Sequence, residues 1–422
     1  MKSLAIIGTG IAGMACGYRL HKEYHVTVYE KNRYAGGHTN AVDVEEEARL
    51  FPIDTGFIVY NEVNYPQLTQ LFRELGVASK PAPMSFSVQH EPTGLEFCGS
   101  GWSGLFAQRK NIFNSQFWRL LKEINRFNKE CLEVLDNPRY AEITLQDYAM
   151  EKGFHLDLLE KYLIPMSSAV WSTRAETMLR FPAATLVHFF KNHGFLGLYT
   201  QHAWRTVDGS SRQYRNKIIE SYRDRIQLGN AAVQIARDGD RVNIRDASGQ
   251  SASYDAVIVA THADQALRLL AQPTKAEEEL LGAFDYQKNA ALLHTDESVM
   301  PKTRRAWSSW NWWTGVDTHG APQSSTIYWM NSLQGLPSQK NYFLSMNDPG
   351  RVQPRHRLRE IEYEHPIFSV EAIRAQKRLP ELNEKGPIYF CGSYFRYGFH
   401  EDALVSALAV CNKLGSHRTQ VS

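Results

Sequence analysis

The stretch LAIIGTGIAG, from Leu4 to Gly13, decides the fold of this chain. Its first four residues form a short apolar run, as expected for a strand buried in a parallel sheet. Residues 11–21 then predict a helix, and residues 26–29 predict a second strand that ends at Glu30. Strand, helix and strand follow one another within about 30 residues, which is the length of a βαβ unit.

The glycine spacing makes this βαβ unit a predicted dinucleotide site. Gly8 permits a tight turn, Gly10 lets the backbone approach a pyrophosphate, and Gly13 lets the helix pack closely on the sheet. The start of the helix offers free N–H groups and a positive dipole end to the phosphates. Glu30 has the spacing of an acid that binds a ribose hydroxyl. An acid here suits FAD or NAD and disfavours the 2′-phosphate of NADP.

A second pair of glycines favours FAD over NAD. Gly36 and Gly37 follow Glu30 closely, and a simple NAD domain does not need this second approach to the pyrophosphate. A third small-residue turn, at residues 54–56, follows another predicted strand. We therefore predict FAD, with covalent attachment left open. The glycines at residues 194–197 lack a strand and an acid, so no dedicated NAD(P)H domain is expected.

Length and composition bound the architecture. The 422 residues exceed the size at which a single core stops growing, so two domains are expected. A formal net charge of +2 gives no global attraction to nucleic acid, and no such partner is expected. No signal peptide, no run of 18 apolar residues and no Cys-x-x-Cys pair is visible, which indicates a cytoplasmic protein with free thiols. Metal-ligand spacings and a Ser-His-Asp pattern are also missing from the sequence.

These motifs resemble the FAD-dependent amine oxidase-like superfamily. It includes monoamine and polyamine oxidases, protoporphyrinogen oxidase, phytoene-type desaturases and a polyunsaturated fatty acid isomerase. Its members share the glycine-rich start, the acid and a Gly-Gly-Arg-like turn, here Gly36-Gly37-His38. They end with a Gly-aromatic-x-Glu-x-Ala motif, here Gly398 to Ala403. Because a histidine replaces the common arginine, we expect the backbone of the two glycines to approach the phosphates.

The resemblance implies an α/β fold. A Rossmann-like FAD-binding domain (glutathione reductase type 2-like) would carry an inserted α+β substrate domain built on a mixed sheet. Strand-like segments between residues 225 and 262 support a return of the chain to the FAD domain. The expected boundaries are 1–61, 206–275 and 385–422 for the FAD-binding domain, and 62–205 and 276–384 for the substrate-binding domain.

The motif positions supply the candidate cofactor contacts. The helix after Gly398 is expected to point its N-terminus at the flavin, where its dipole stabilises negative charge on the reduced ring. Glu401 is expected to bind the cofactor or to cap this helix. The full predicted set is Gly8, Gly10, Ile11, Ala12, Gly13, Glu30, Lys31, Gly36, Gly37, His38, Thr39, Asp54, Thr55, Gly56, Phe57, Val233, Thr261, Gly392, Phe399, His400, Glu401 and Ala403.

The predicted active site is rich in aromatic residues. His400, Tyr60 and Asn61 are the candidate catalytic residues, although a backbone contact from His400 to the flavin is favoured over an acid–base role. Phe399 stands where amine oxidases place one wall of an aromatic cage, and the sequence assigns no second wall. The tryptophan-rich strands suit either a wall for a long apolar substrate or plain core. The candidate substrate contacts are Tyr394, Tyr397, Phe399, Trp171, Trp310, Trp312 and Trp329.

Three shorter strings narrow the resemblance. DTGFIVYN from Asp54, THADQAL from Thr261 and GFHED from Gly398 resemble flavoproteins associated with cyclopropane fatty acid synthase-like methyltransferases. This implies an unsaturated, methylated or cyclopropanated acyl chain that is dehydrogenated, reduced or isomerised by hydride transfer at flavin N5, and a methyltransferase as a partner. Two alternatives stay open: an amine or amino-acid oxidase that releases hydrogen peroxide, and a non-catalytic, FAD-stabilised partner of a lipid methyltransferase.

Residues 104–122 mix basic and large apolar side chains, among them Arg109, Lys110, Phe113 and Trp118. Such a mixture suits an interfacial membrane contact, which would place the protein at the membrane periphery. It also suits an amphipathic helix that packs on its own domain. Because most amphipathic helices face their own core, we favour the second interpretation.

Overall fold

The computed structural model describes residues 1–197, 200–317 and 319–416. In these residues the strands are, in chain order, β1 (Ser3–Ile7), β2 (His25–Glu30), β3 (Ala41–Glu46), β4 (Arg49–Asp54), β5 (Tyr60–Asn61), β6 (Ser79–Pro81), β7 (Phe86–His90), β8 (Leu95–Cys98), β9 (Trp204–Val207), β10 (Ile226–Leu228), β11 (Ala232–Asp238), β12 (Arg241–Asp246), β13 (Ser251–Tyr254), β14 (Ala256–Val259), β15 (Asp285–His294), β16 (Trp310–Val316), β17 (Pro322–Trp329), β18 (Phe343–Met346), β19 (Arg357–Ile367) and β20 (Ile388–Phe390). The α-helices are α1 (Ile11–Leu20), α2 (Pro66–Glu74), α3 (Gly101–Leu105), α4 (Ser115–Glu130), α5 (Glu133–Asp136), α6 (Leu145–Glu151), α7 (Leu156–Leu158), α8 (Ile164–Trp171), α9 (Ala175–Leu179), α10 (Ala183–Asn192), α11 (Arg212–Ile219), α12 (Ala263–Leu269), α13 (Lys275–Leu281), α14 (Met330–Gln334), α15 (Val370–Gln376) and α16 (His400–Ser416).

A five-stranded parallel sheet carries the glycine-rich motif. Its order is β10-β2-β1-β14-β20. The apolar runs of β14 and β20 are buried along their whole length, as expected for strands covered on both faces. β1 pairs with β2 on one side and with β14 on the other, so the order of the strands reverses at β1. Parallel sheets bind ligands in the crevice at such a reversal, outside the carboxyl ends of the strands.

A second sheet is mixed and has seven strands, in the order β19-β15-β18-β17-β16-β7-β8. Only β16 and β7 pair in parallel; the other neighbours are antiparallel. The structure therefore contains a parallel sheet and a mixed sheet, both with associated helices. The predicted α/β fold class is confirmed. Among the described residues, no helix combines the length and the apolar character that a membrane crossing requires.

Helix α16 packs against helix α1, which follows the first strand of the parallel sheet. α16 packs along α1, where Cys16 and Cys411 are buried with Cys391, the residue that follows β20. All three are free thiols. Cys391 is buried, as expected for a thiol predicted to lie inside an apolar strand, although β20 ends one residue before it. The start of α16 lies next to the segment after β2, because His400 Nε2 is 3.3 Å from Thr39 Oγ1.

Candidate functional site

The turn between β1 and α1 leaves room for a phosphate group. Gly8 has a φ of +97°, and a Cβ on Gly13 would lie 2.0 Å from the Gly8 oxygen, so both positions require glycine. A Cβ on Gly10, by contrast, would meet nothing within 4 Å. The first turn of α1 has no capping side chain and no acidic residue. Its N–H groups are therefore available to an anion in this open space.

The second glycine turn meets the first one. A Cβ on Gly37 would lie 3.2 Å from the Gly10 Cα, so two backbone segments approach each other where the phosphates are expected. Gly56 lies close behind them, because its Cβ would be only 2.2 Å from the His38 oxygen. Side chains at these positions would push the turns apart. The glycines thus build a narrow crevice out of backbone alone.

Glu30 is held ready at the end of β2. Its Oε2 accepts hydrogen bonds from the Thr9 backbone N–H at 2.9 Å and from Thr9 Oγ1 at 2.5 Å, and its Oε1 accepts from the Asn32 N–H at 2.8 Å. A carboxylate offers about four acceptor positions. One position on Oε1 therefore remains for a ribose hydroxyl.

Residues that lie far apart in the sequence converge near the start of α16. The Tyr214 hydroxyl is hydrogen-bonded to Thr39 Oγ1 at 2.6 Å and to His400 Nε2 at 3.0 Å. The Phe57 ring stacks on the His400 ring with 4.0 Å between centroids. Burial lowers the pKa of His400 to about 3, so its ring is neutral at physiological pH. Tyr214 was not predicted, because no motif marks its helix α11.

A second group of buried polar side chains surrounds His38. Its ring stacks on Tyr363 at 4.8 Å and lies 5.0 Å from the His365 ring. Burial, followed by the charge of His365, holds the pKa of His38 well below its usual range. Asn289 Nδ2 donates to His365 Nδ1 at 2.8 Å, which leaves the ring proton of His365 on Nε2. The buried Nε2 of His38 has no hydrogen-bond partner among the described atoms.

These features fit FAD. The open space beside Gly10, the uncapped first turn of α1 and the unpartnered Nε2 of His38 all offer contacts to a buried, anionic, polar ligand. Orphaned buried polar atoms are rare in proteins and call for an explanation. A bound FAD in the crevice where the strand order reverses would explain why the Nε2 of His38 has no partner.

Several predicted residues have other partners in the structure. The Asp54 carboxylate accepts from the Ser211 N–H and hydroxyl and from Gln334 Nε2, so it anchors the segment before α11. Both oxygens of Glu401 accept N–H groups at the start of α2, from Gln67 and Leu68 at 2.9 Å. Glu401 therefore caps α2 and not, as one expectation had it, its own helix.

The remaining predicted cofactor residues occupy varied positions. The Thr261 side chain lies beside Gly8, and the backbone N–H of Gly392 donates to Ser406 Oγ. Val233 is 44% exposed at an irregularity in β11. Thr55 hydrogen-bonds with the Tyr363 hydroxyl at 2.9 Å. Of the others, Ile11, Ala12 and Ala403 are buried and Lys31 is exposed.

The candidate catalytic residues Tyr60 and Asn61 form β5 and are both buried. Tyr60 packs on Phe57 and on Phe72. Asn61 Oδ1 accepts the Asn64 N–H, while its Nδ2 has no partner among the described atoms. The structure thus brings Tyr60 next to the Phe57–His400 stack.

Of the candidate substrate residues, only some lie together. Phe399 stacks on Phe189 at 5.3 Å and contacts Trp171 at 6.1 Å, and Trp171 Nε1 donates to the Tyr397 oxygen at 3.1 Å. Tyr394 is buried against Phe284 with an unpartnered hydroxyl.

The tryptophans of β16 and β17 are distributed differently. Trp312 packs in a hydrophobic cluster with Phe97 and Phe117, and Trp329 packs in another with Trp307. Trp310 lies against Tyr328 between that first cluster and the main core. The structure does not bring Trp312 and Trp329 to Phe399, and the plain-core interpretation describes them.

The fold and its two glycine turns define a dinucleotide-binding flavoprotein. Residues 11–330 match the flavin-containing amine oxidoreductase family, and the chain belongs to this family. It is an FAD-dependent oxidoreductase. A segment of 45 residues is 53% identical to 1-hydroxycarotenoid 3,4-desaturase of Flavobacterium sp. (strain P99-3). That match spans 10% of this chain and only 9% of the desaturase.

Two solved structures share the architecture over nearly the whole chain. Wild-type putrescine oxidase bound to putrescine is similar with a TM-score of 0.70 and 12% identity, over 98% of this chain and 99% of that one. The CLA-producing fatty acid isomerase from P. acnes has a TM-score of 0.67 and 12% identity, over 98% of both chains. At such identities the likeness shows the fold alone.

The neutral histidines predict acid sensitivity. Burial lowers the pKa of His365 to about 4, from about 6.5 in an unfolded chain. The folded state therefore binds fewer protons than the unfolded state below pH 6.5, and stability falls as the pH drops from there towards 4. We expect this histidine to cost about 3 kcal/mol by pH 4.

The change His365→Asn tests this expectation. Asparagine keeps an acceptor for Asn289 Nδ2 but does not titrate. Urea unfolding of the FAD-loaded protein between pH 7 and 4 should give a stability curve that is flatter than wild type by about one proton. Parallel curves for the two proteins would contradict the assignment.

Proposed function

We propose that the protein transfers hydride between FAD and a fatty acyl chain, by dehydrogenation, reduction or double-bond isomerisation. The supporting observation is a cavity of about 90 Å³ beside the start of α16. Its wall combines the rings of Tyr65, Phe189, His193 and Phe399, which Trp171 backs, with polar side chains that include Asn64, Asn192 and Arg396. The side of the cavity that carries the rings suits part of an apolar chain, because each CH₂ group removed from water gains free energy.

The charges at this cavity favour an acyl chain over an amine. Asp402 and Glu401 are the two acids in its lining. Asp402 Oδ2 already accepts the N–H groups of Tyr397 and Phe399, at 3.1 and 2.9 Å, and Glu401 caps α2. Burial raises the pKa of Asp402 to about 6 and also raises that of Glu401. A substrate ammonium group would find both carboxylates engaged and less readily ionised than usual.

His193 adds no charge to this wall. Burial lowers its pKa to about 4, and its Nδ1 lies 3.0 Å from the Phe189 oxygen. The neutral ring stacks on Phe189 at 3.8 Å. It therefore acts as a further aromatic surface.

The edge of the cavity offers a place for an anionic head group. Arg396 lines the cavity with a side chain that is 52% exposed and lies 3.9 Å from Asp402. Its guanidinium suits a carboxylate or a phosphate. This supports a substrate with an apolar chain and an acidic end. The likeness of the DTGFIVYN, THADQAL and GFHED strings to methyltransferase-associated flavoproteins supports methylated or cyclopropanated chains among these substrates.

FAD supplies the hydride chemistry, and the chain positions it. We propose that Gly10 with the first turn of α1 holds the pyrophosphate and that Glu30 holds the ribose. Tyr214 and Thr39 fix the His400 ring, whose low pKa keeps positive charge away. The start of α16 supplies the N–H groups and dipole that stabilise negative charge.

Anaerobic mixing of the FAD-loaded protein with a total lipid extract tests the proposal. We expect bleaching of the visible flavin band if the acyl chain donates hydride. If the oxidised band persists, the protein reduced with dithionite should be reoxidised by an unsaturated lipid, or the lipid should isomerise. Unchanged lipid and flavin in every arm, together with hydrogen peroxide release from an amine panel, would establish the amine oxidase alternative instead.

A further inference from the structure

The substrate half of the chain carries an exposed aromatic surface, which we call the aromatic face. It comprises Trp102, Ile112, Phe113 and Trp118, and the buried ring of Phe106 lies against Trp102 and Trp118. Phe113 is 92% exposed and Trp102 is 70% exposed, while Ile112 and Trp118 are about half as exposed, at 43% and 39%. Single exposed apolar side chains are ordinary, but a contiguous group of large ones marks an interaction site.

Contacts show that the aromatic face is one surface. The Trp102 and Phe106 rings are parallel, with centroids 6.0 Å apart, and Phe106 lies 5.3 Å from Trp118. Trp118 Nε1 donates to the Ile112 oxygen at 2.8 Å, which ties the turn of residues 109–113 to α4. Three successive elements therefore present their large side chains side by side.

The aromatic face is not explained by the core of the protein. α4 buries Phe117, Leu120 and Phe127, so the favoured interpretation of this helix as core-facing is confirmed. Phe113 precedes this helix and has no part in that burial. The composition of residues 104–122 thus serves two purposes: the helix packs inward, and the segment before it faces solvent.

Unpaired cations flank the aromatic face. Arg109, Lys110 and Lys122 are exposed and make no ion pair with any described residue. Arg119 pairs with Asp157 at 3.2 Å, and Lys161 also pairs with Asp157 at 2.5 Å. The chain as a whole carries only +2. The positive charge here is therefore a local excess.

A cavity of about 280 Å³ opens beside the same turn. Phe113 and Lys110 form part of its lining, and Lys161 and Asp157 are its other charged lining residues. Two cations against one carboxylate leave a positive balance. A phosphate-bearing head group would be attracted to this cavity while its chains meet the aromatic rings.

We propose that the aromatic face docks the protein on an anionic lipid bilayer. Phe113, Ile112 and Trp102 enter the boundary between head groups and acyl chains, and Arg109 and Lys110 contact the phosphates. Aromatic and basic side chains together are the composition that this boundary accepts. The three unpaired cations next to the exposed rings complement the negative charge of the head groups. The proposal concerns attachment to the bilayer and does not depend on the substrate or the reaction of the flavin site.

Vesicle sedimentation with the FAD-loaded protein tests the proposal. We expect binding to phosphatidylcholine–phosphatidylglycerol vesicles, weaker binding to pure phosphatidylcholine, and a loss of binding as salt rises. Phe113→Asp should weaken binding to the anionic vesicles by about tenfold or more. Because Phe113 is almost fully exposed, this change should leave the flavin absorbance and thermal unfolding unchanged.

Leu50→Asp is the matched control, since Leu50 is 69% exposed on the β3–β4 hairpin. The Leu50→Asp protein should bind vesicles like wild type. The double change Arg109→Gln, Lys110→Gln should remove the preference for anionic vesicles. Equal vesicle binding by wild type and Phe113→Asp would overturn the proposal. Failure of the wild-type protein to bind any vesicle would overturn it as well. In that case, self-association of the wild type that Phe113→Asp abolishes would show that the aromatic face binds a second copy of the chain. Turnover of a dispersed short-chain lipid would still report on the proposed function separately.

Discussion

Gly10→Glu should remove FAD from the protein while its fold is kept. The Gly10 backbone has φ −59° and ψ 174°, which any residue adopts, and a Cβ there meets nothing within 4 Å. The new carboxylate would occupy the space proposed for the pyrophosphate and would itself lie at the positive end of α1. We expect FAD affinity to fall at least about 100-fold, which corresponds to about 3 kcal/mol. Titration of apoprotein with FAD, followed by flavin fluorescence, measures this change.

Gly13→Ala provides the contrast for Gly10→Glu. Its Cβ would lie 2.0 Å from the Gly8 oxygen, so α1 must move away from β1. We expect a loss of unfolding free energy of about 2 kcal/mol in the apoprotein, whereas apo Gly10→Glu should unfold like wild type. A yellow Gly10→Glu protein with stoichiometric FAD would show that the cofactor does not use this turn.

Phe399→Ala should slow flavin reduction by an acyl substrate about tenfold to a hundredfold. The change removes the ring that contacts Phe189 and Trp171 and forms one side of the proposed substrate cavity. Each tenfold corresponds to about 1.4 kcal/mol of lost stabilisation of the transition state. The measurement is stopped-flow decay of the flavin band under anaerobic conditions, at several lipid concentrations.

Trp329→Ala is the control for Phe399→Ala. Trp329 packs on Trp307 in a different cluster, and its Nε1 donates to Asn341 Oδ1. We expect a loss of stability with a flavin reduction rate within about twofold of wild type. If Trp329→Ala lowers the rate of flavin reduction as much as Phe399→Ala does, the strands that carry the tryptophans also contribute to the substrate site.

The parts of the fold that depend on short-range sterics were predictable. Gly8, Gly13 and Glu30 lie within one βαβ unit: Gly8 has a positive φ, a Cβ on Gly13 would touch Gly8, and Glu30 accepts from Thr9. The start of α16 was predictable for the same reason, because its motif is also local. The structure places β1 and α1 within a residue or two of the predicted boundaries.

Contacts between distant segments were not predictable. Tyr214 and His365 lie on elements without motifs, and they reach Thr39 and His38 only because segments that are distant in sequence pack together. The alternation of β16 was a signal that went unused, since neighbouring Trp312 and Trp313 must point to opposite faces of the sheet. Four tryptophans in one stretch therefore cannot all line one cavity.

The order of strands in the parallel sheet has a consequence for how the protein matures. β14 pairs with β20, and Thr39 meets His400, 361 residues later. During synthesis, the glycine-rich turn is made before β20 and α16, so the cofactor crevice is complete only after these later segments have been synthesised. Contacts this remote are slow to form, and the unfinished sheet exposes apolar strand edges in the meantime. A nascent chain should therefore acquire FAD late, and in a cell short of riboflavin a larger share of the protein should be bound by chaperones and degraded by proteases.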